Sequence, residues 1–306
     1  MQTAFITHPA CLKHHIATGH PESPARLMAI TDQLIAGGVY DFLRHYEAPR
    51  ASRVQLERVH AAAYLDRLSA ASPREGLVEV GTDAWMTPDT LEAALHAAGA
   101  VVLATDLVMS GKVANAFCSV RPPGHHAGRD QAMGFCLLNN CAVGVAHALA
   151  AHGVSRIAIA DFDVHHGNGT EEIFRDDPRV LLCSLFQHPL YPYTGLTHNA
   201  HIVNVPLPEN TDGAGMRQAV LEQWLPALET FQPELIFICA GFDGHWQDDT
   251  ADLHLIEADY SWITQQLKTL AAKHSQGRIV STLEGGYELH ALGRSVLAHI
   301  KVLSGL

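Results

Sequence analysis

Short apolar, β-branched runs alternate along this chain with longer stretches of helical spacing. The runs favour buried strands at 116–120, 156–160, 180–185, 235–240 and 278–283. Helical spacing covers 88–109, 142–152, 214–231 and 255–274. Strands joined through helices pair in parallel, and a parallel sheet must be covered on both faces. The alternation therefore predicts an α/β fold with a central parallel sheet.

The organisation along the chain indicates one domain. A chain of 306 residues is long, but an α/β domain of this size can close around a single core. No internal repeat, low-complexity tract or linker divides it, so we expect one domain over 1–306. Residues 1–115 show the weakest pattern, and 187–200 is expected to be an irregular loop.

Four of the predicted strands are followed directly by polar, Gly-rich segments. These segments read RPPGHHAG from Arg121, DFDVHHGNG from Asp161, GFDGH from Gly241 and EGGY from Glu284. Ligands of open α/β sheets bind beyond the carboxyl ends of the strands. The four segments are therefore expected to meet at one edge of the sheet and to form one site.

The DFDVHH segment carries the residue types of a metal site. On an extended strand Asp161, Asp163 and His165 would project to one side, so a carboxylate and an imidazole could reach one cation. Asp243 offers an oxygen from a neighbouring strand end, and three protein ligands with one open position are typical of catalytic zinc. The alternatives are a solvated strand end for the first segment and a helix cap at Asp243.

Three further residues are candidates for acid–base and oxyanion chemistry. His125 and His126 follow a rigid Pro-Pro-Gly turn, and imidazole titrates near neutral pH, so one can act as a base and the other as its partner. Asp161 and Asn168 are candidates to orient them. Tyr287 follows two glycines that can aim a phenol toward a developing oxyanion, although a surface tyrosine is the alternative.

Composition limits the classes of partner and compartment. The formal net charge is -12 and no Lys/Arg-rich run is present, which argues against a nucleic-acid surface. The six cysteines form no C-x-x-C pair, so we expect a reducing cytoplasm rather than a disulfide framework. No basic and apolar leader begins the chain, and no apolar run approaches about 18 residues, so neither a signal peptide nor a membrane span is expected.

Taken together, these motifs resemble the zinc-dependent histone deacetylase family, which includes bacterial acetylpolyamine amidohydrolases and acetoin-utilisation proteins. RPPGHHA, DFDVHHGNG, AGFDGH and EGGY, with GHPESPAR near the start, run in family order from residue 19 to 287. The resemblance implies the arginase/deacetylase fold, a single α/β domain around a parallel sheet of about eight strands.

The resemblance also implies roles for individual residues. It makes His125 and His126 the tandem catalytic histidines and Tyr287 the oxyanion donor. The implied zinc ligands are Asp163, His165 and Asp243. A potassium site is implied at Asp161, Ser184 and Leu185, and a second one near Phe174 and Val180. The implied substrate contacts are Gly134, Phe135 and Tyr191 as walls of an acyl-lysine tunnel, Thr250 at its rim and Arg26 in a deeper cavity for the released acetate.

Two departures from the family pattern bear on the branch of the family and on the substrate. Asn168 stands where one eukaryotic class has aspartate, which makes the chain similar to the class II and bacterial branches. Asp248-Asp249-Thr250 replaces the usual Asp-Pro-Leu, and no glutamate near Thr250 can act as a polyamine gatekeeper. Asp248, Asp249 or Asp252 could supply such a charge only if the rim loop folds inward.

The expected reaction is hydrolysis of the amide of an acyl-lysine or a small acylated amine, with His126 as general base and acid. A polyamine-selective amidohydrolase and a non-catalytic acyl-ligand module remain alternatives. A two-manganese, arginase-like site is disfavoured because His166-Gly167, and not an acid, follows His165. A nicotinamide enzyme is disfavoured because no G-x-G-x-x-G follows a strand.

Overall fold

The computed structural model describes residues 2–306. The strands are β1 (Thr3–Thr7), β2 (Arg44–Glu47), β3 (Val78–Thr82), β4 (Ala84–Met86), β5 (Asn115–Cys118), β6 (Ala132–Met133), β7 (Ile157–Asp161), β8 (Val180–Gln187), β9 (Ile202–Leu207), β10 (Leu235–Ala240) and β11 (Ile279–Leu283). The α-helices are α1 (Ala10–Lys13), α2 (Ala25–Ala36), α3 (Arg53–Glu57), α4 (Ala62–Ala71), α5 (Thr90–Met109), α6 (Asn140–Ala151), α7 (Asn168–Phe174), α8 (Gly213–Ala219), α9 (Leu225–Phe231), α10 (Glu257–His274) and α11 (Leu289–Ser304).

Eight strands form one sheet in the order β2-β1-β5-β11-β10-β7-β8-β9. Every neighbouring pair in it is parallel. Its central strands are predominantly apolar, and all residues of β7, β8, β10 and β11 are buried, as expected for strands covered on both faces. Because the strands are parallel, their carboxyl ends lie at one edge of the sheet.

The register shows how helices cover the two faces. Phe237 of β10 pairs with Val280 of β11, so these two side chains share a face. On that face a Cβ placed on Gly144 of α6 would meet Phe237 at 2.9 Å. The next residue, Ser281, projects to the opposite face, where its hydroxyl lies 2.9 Å from His299 of α11. The expected single-domain α/β fold with helices on both faces is thus confirmed.

One helix corrects the expectation that no apolar stretch reaches membrane-spanning length. α5 has 20 residues with a mean hydropathy of 1.5 in its most apolar window. Its length and composition would allow it to cross a membrane, yet 72% of that window is buried inside the protein. A helix enclosed by protein on most sides is apolar around most of its circumference, so it passes the same test as a membrane span.

The five predicted strands are present, one with the predicted bounds and four with shifted ends, but the predicted helix over 214–231 is interrupted. A single π-helical turn, Val220–Trp224, separates α8 from α9. Pro226 is the second residue of α9, and α9 continues directly from the π-helical turn. Because proline has no N–H to donate to the preceding turn, the regular hydrogen-bond pattern is interrupted here, and the wider π-turn lies just before it.

A second, small sheet lies outside the main one. It contains β4, β3 and β6, with β3 antiparallel to β4 and parallel to β6. The backbone continues this contact past β6, where Gly134 and Phe135 donate to the carbonyls of Thr82 and Asp83 at 2.9 and 2.8 Å. The small sheet therefore positions Gly134 and Phe135.

Candidate active site

The edge of the sheet at the carboxyl ends of β5, β7, β10 and β11 brings the four polar segments together. Contrary to the expectation of an extended DFDVH stretch, β7 ends at Asp161. The Asp161 carboxylate accepts the backbone N–H of Asp163 at 3.2 Å, which takes the place of a ladder hydrogen bond and turns the chain. Asp163 and His165 are thus carried by a loop rather than by a strand.

Asp163, His165 and Asp243 converge on one point. One potential ligand atom from each lies within 4.8 Å of the other two. His165 Nδ1 is 3.1 Å from Asp163 Oδ1 and 3.2 Å from Asp243 Oδ2. Asp243 Oδ2 is buried and makes no hydrogen bond despite this proximity. An orphaned buried carboxylate oxygen of this kind is explained by a bound cation.

The pKa values of Asp243 and His165 indicate a shortage of positive charge around Asp243. Burial, and then the charge of Asp163, raise the pKa of Asp243 to about 6. Burial opposes the charge on His165, but its contacts with Asp163 and Asp243 outweigh burial and raise its pKa to about 10. Two buried carboxylates therefore share the charge of His165, and Asp243 is left without a full positive partner.

Two glycines surround this cluster at close range. A Cβ on Gly241 would lie 2.1 Å from Asp163 Oδ2, and one on Gly285 would lie 1.9 Å from Asp243 Oδ2. These separations are far below van der Waals contact, so only glycine leaves both carboxylates in place. Gly285 also donates its backbone N–H to Asp163 Oδ2 at 2.8 Å, while Val164 donates to Asp243 Oδ1 at 3.0 Å.

The tandem histidines lie beside the cluster, and each has a partner on Nδ1. Asp161 Oδ2 is 3.1 Å from His125 Nδ1, and Asn168 Oδ1 is 2.8 Å from His126 Nδ1. Because these oxygens accept, both Nδ1 atoms carry protons. The Nε2 of His125 faces Asp163 Oδ1 at 3.7 Å.

The two histidines differ in pKa and therefore in protonation state. Burial opposes protonation of His125, but Asp163 and Asp161 outweigh it and hold its pKa well above the usual range. Burial and the neighbouring charges of His125 and His165 hold the pKa of His126 well below that range. His126 is therefore the neutral imidazole of the pair.

Glu284, to which the sequence assigned no role, holds the histidine segment. Its Oε2 accepts the backbone N–H of Gly124 at 2.7 Å and of His125 at 3.1 Å. The side chain is fully buried, and burial raises its pKa to about 7. The signal in the sequence was an acid directly after the apolar run of β11.

Tyr287 lies between an aromatic wall and a buried cation. Its ring centroid is 6.0 Å from that of Phe135, and the Arg26 guanidinium carbon is 4.9 Å from the ring centroid. Burial holds the pKa of Tyr287 well above its usual range; Arg26 opposes this, and Asp243 and Asp163 reinforce it. The phenol is therefore a protonated donor. Arg26 itself donates to the carbonyls of Gly286 and Glu284 at 2.6 and 2.5 Å.

Gly134, Phe135 and Tyr191 are brought together around His126. The ring centroids of His126 and Tyr191 are 5.4 Å apart in an edge-to-face arrangement. A Cβ on Gly134 would meet the His126 ring at 2.5 Å and the Tyr191 hydroxyl at 3.1 Å. These residues therefore enclose the approach to His126. An acid that the sequence did not indicate, Asp83, is exposed next to them and contributes to raising the pKa of Tyr191, after burial and Cys136.

The two implied potassium sites differ in whether the structure shows a polar atom without a partner. Asp161 and Ser184 are register partners on β7 and β8, and the buried Ser184 hydroxyl makes no hydrogen bond. Phe174 ends α7 and Val180 begins β8, on either side of a short turn in which the Phe174 carbonyl accepts the Asp177 N–H at 3.0 Å.

The rim residues require a correction. Asp248, considered as a possible rim charge, is only 4% exposed. Its Oδ2 accepts the backbone N–H groups of Tyr287 and Glu288, and its Oδ1 accepts the Thr250 hydroxyl at 2.6 Å. Asp248 is thus engaged with protein groups, whereas Asp249 and Asp252 are exposed.

A second cluster, Asp106, His147 and His152, also places three potential ligand atoms within 4.8 Å. However, Arg58 donates to His147 Nδ1 at 3.0 Å, so the proton of this ring lies on Nε2 and is donated to Asp106 at 2.8 Å. A metal-bound imidazole would instead donate from its distal nitrogen. These contacts fit a hydrogen-bond network between α5 and α6.

Comparison with known proteins agrees with this geometry. The family profile described as Histone deacetylase domain matches residues 20–303. The histone deacetylase-like amidohydrolase of Pseudomonas aeruginosa is 40% identical over 95% of this chain and 78% of its own length. A probable deacetylase of Archaeoglobus fulgidus is 37% identical over 100% of this chain and 87% of its own.

Two further comparisons extend to a longer protein and to a solved structure. Type-2 histone deacetylase 2 of Dictyostelium discoideum is 34% identical over 99% of this chain, which spans only 21% of that protein. The crystal structure of the HDA15 HD domain superposes with a TM-score of 0.93 at 35% identity, and covers 99% of this chain and 88% of that one. The chain belongs to the histone deacetylase family and is a deacetylase hydrolase.

Proposed function

We propose that this deacetylase is zinc-dependent and removes acetyl or other short acyl groups from acyl-lysine or small acylated amines. The observation that carries the metal assignment is the convergence of Asp163, His165 and Asp243 around an orphaned carboxylate oxygen. Two carboxylates and one imidazole form a three-ligand donor set that suits catalytic zinc, whose fourth ligand is water or substrate. When bound there, zinc would supply a Lewis acid for the acyl carbonyl and would lower the pKa of a water.

The proton relay is assigned to the tandem histidines. Asn168 holds the proton of His126 on Nδ1, which leaves Nε2 free to take a proton from the attacking water. His125, paired with Asp161, stays charged and stabilises the negative charge that develops beside it. The proton on His126 Nε2 is then available to the leaving amine.

Tyr287 is the proposed donor to the acyl oxygen. Its phenol remains protonated because of burial, and Arg26 and Phe135 fix the ring. A donor placed where an oxyanion develops contributes about 3 kcal/mol to catalysis. Replacement by phenylalanine should therefore lower turnover by about 100-fold or more and leave the metal bound.

We further propose a potassium ion between Asp161 and Ser184, with Leu185 contributing its backbone. The unpartnered Ser184 hydroxyl next to a buried carboxylate supports this assignment. A second ion near Phe174 and Val180 is proposed only on family resemblance. Arg26 is assigned to the acetate cavity on the same basis. All six cysteines are free and buried, which supports a reducing compartment such as the cytoplasm.

The substrate class follows from the walls and from the available charges. Gly134, Phe135 and Tyr191 suit a neutral acylated amine on a methylene stem. A polyamine needs a carboxylate at the depth of its second nitrogen, and Asp248 cannot serve because its oxygens are already hydrogen-bonded. We therefore propose activity on acyl-lysine and small acylated amines without strong polyamine selectivity.

A turnover screen of the purified zinc form tests this proposal. The substrates are an acetyl-lysine peptide, N-acetylputrescine and longer acyl-lysines, compared by kcat/KM. We expect turnover of the acetyl-lysine peptide within an order of magnitude of the polyamine. A polyamine preference of about 100-fold, or about 2.7 kcal/mol, would contradict the substrate assignment and point to Asp83, Asp249 or Asp252. Absence of turnover on all of them would contradict the proposed substrate class.

A further inference from the structure

Asp248 connects the loop of a metal-ligand candidate to the segment of the proposed catalytic tyrosine. It follows Asp243 by five residues and lies on the same loop. Its Oδ2 accepts the backbone N–H of Tyr287 at 2.6 Å and that of Glu288 at 3.0 Å. Its Oδ1 accepts the N–H and the hydroxyl of Thr250 at 3.2 and 2.6 Å. One buried carboxylate thus satisfies four donors.

The rest of the 284–288 segment is fixed by other groups. Arg26 binds the carbonyls of Glu284 and Gly286, and the N–H of Gly285 is bound by Asp163. Gly286, at φ 116°, adopts a backbone conformation that favours glycine. The two N–H groups that follow this turn are held only by Asp248 among the side chains of residues 2–306.

We propose that Asp248 is a positioning residue for the deacetylation reaction. By holding the N–H groups on either side of the Tyr287 Cα, its carboxylate sets the direction of the phenol toward the acyl oxygen. This rests on the proposed function, in which Tyr287 is the oxyanion donor. Asp248 touches neither substrate nor metal in this account and acts through Tyr287.

The carboxylate cannot be replaced by an amide without loss. An asparagine at 248 keeps one accepting oxygen and turns the other into an NH₂ donor. In either orientation that donor would face a backbone N–H: those of residues 287 and 288, or that of Thr250, whose hydroxyl alone could accept from it. A backbone N–H can only donate, so the loop and the tyrosine segment bound to it would move. A misplacement of about 1 Å is enough to lower the rate by up to about 100-fold.

The test is a double-mutant cycle between Asp248→Asn and Tyr287→Phe, with kcat and KM measured on an acetyl-lysine peptide. In the wild-type background we expect Asp248→Asn to lower kcat by about 30-fold and to change KM by less than about threefold. In the Tyr287→Phe background the same change should cost less than about threefold, because the group it positions is already absent.

Two variants in the same loop complete the design. Asp249→Asn removes an exposed neighbouring carboxylate and should leave kcat within about twofold of wild type. Thr250→Val removes only the hydroxyl bound to Asp248 Oδ1. It is therefore a milder variant that can replace Asp248→Asn in the cycle if Asp248→Asn does not fold. We expect it to lower kcat about threefold, and only when Tyr287 is present. Metal content and the thermal midpoint are recorded for each protein.

Equal losses from Asp248→Asn in both backgrounds, with Tyr287→Phe itself strongly impaired, would overturn the positioning role and leave the proposed function intact. Near-wild-type turnover of Asp248→Asn would overturn it as well. Near-wild-type turnover of Tyr287→Phe would instead refute the oxyanion assignment, and the positioning role with it.

Discussion

The backbone N–H of Gly285 donates to Oδ2 of Asp163 at 2.8 Å. This contact joins the segment of the proposed oxyanion donor to a metal-ligand candidate 122 residues earlier in the chain. The same segment is bound by Asp248 and Arg26. The site is therefore a set of loops whose backbone groups are held by buried charged side chains.

The first prediction concerns the two glycines around the metal-ligand cluster. Gly285→Ala would place a Cβ 1.9 Å from Asp243 Oδ2, and Gly241→Ala would place one 2.1 Å from Asp163 Oδ2. Each should lower bound zinc and kcat by about 100-fold or more, because a ligand must move by about 1 Å or more. Gly244→Ala is the matched control, since its Cβ would meet side chains only, the nearest being Leu255 Cδ1 at 3.2 Å. Normal metal content in both cluster variants would refute the crowding argument.

A second prediction concerns the partner of His126. Asn168→Leu removes the acceptor of the Nδ1 proton, so the ring can rotate or change tautomer, and kcat should fall by about 10- to 100-fold. Asn168→Asp keeps an accepting oxygen at the same position and should retain activity within about threefold. Steady-state kinetics of the two variants, with metal content as a control, shows whether Asn168 orients the His126 ring or only packs against it. Equal losses in both variants would argue against orientation.

The third prediction is an acid-dependent loss of stability. Burial lowers the pKa of His60 to about 4 and that of His299 to about 3, against about 6.5 in the unfolded chain. Below about pH 6.5 the unfolded state therefore binds protons that the native state does not, so the free energy of unfolding decreases as the pH is lowered. At about pH 5 each histidine should contribute about 2 kcal/mol of this loss.

Urea unfolding of wild type and His299→Gln as a function of pH measures this effect. The glutamine variant is expected to be less stable at neutral pH, because Thr264 and Ser281 lose their shared partner. Between about pH 6.5 and pH 4 its free energy of unfolding should nevertheless fall less steeply than that of the wild type. The difference in slope should correspond to about one proton fewer taken up on unfolding. Parallel curves for the two proteins would show that His299 is not held neutral.

The sequence predicted five of the central strands because both faces of each are buried and the strands are therefore predominantly apolar. It did not predict β1 or the edge strands. β2 reads RHYE and is largely exposed, and β9 contains Pro206. Polar side chains and proline are the features by which edge strands avoid further pairing, and they also remove the strand signal.

The candidate metal ligands and the tandem histidines could be named from the sequence because each follows an apolar strand. The end of that strand predicts a position at the carboxyl edge of the sheet. Asp248 could not be assigned in the same way. It lies in a loop beside another aspartate, and its partners are backbone N–H groups 39 and 40 residues later. Contacts to backbone leave no pattern of residue types, so only the folded chain shows them.

The fourth prediction concerns the ligands themselves. Asp163→Ala or Asp243→Ala should abolish both zinc binding and turnover, since two remaining ligands cannot hold the ion in an open tetrahedral site. Elemental analysis and kinetics of each variant provide the measurement. A variant that loses its metal but keeps wild-type turnover would contradict a catalytic role for the ion.

Titration of metal-stripped protein with Zn²⁺, followed by deacetylation of an acetyl-lysine peptide, measures the zinc dependence of the enzyme. We expect the stripped protein to be inactive and its activity to rise in proportion to added zinc until it saturates at about one equivalent per chain. Full activity without metal, or saturation only at about two equivalents with manganese and none with zinc, would contradict a single zinc ion held by Asp163, His165 and Asp243.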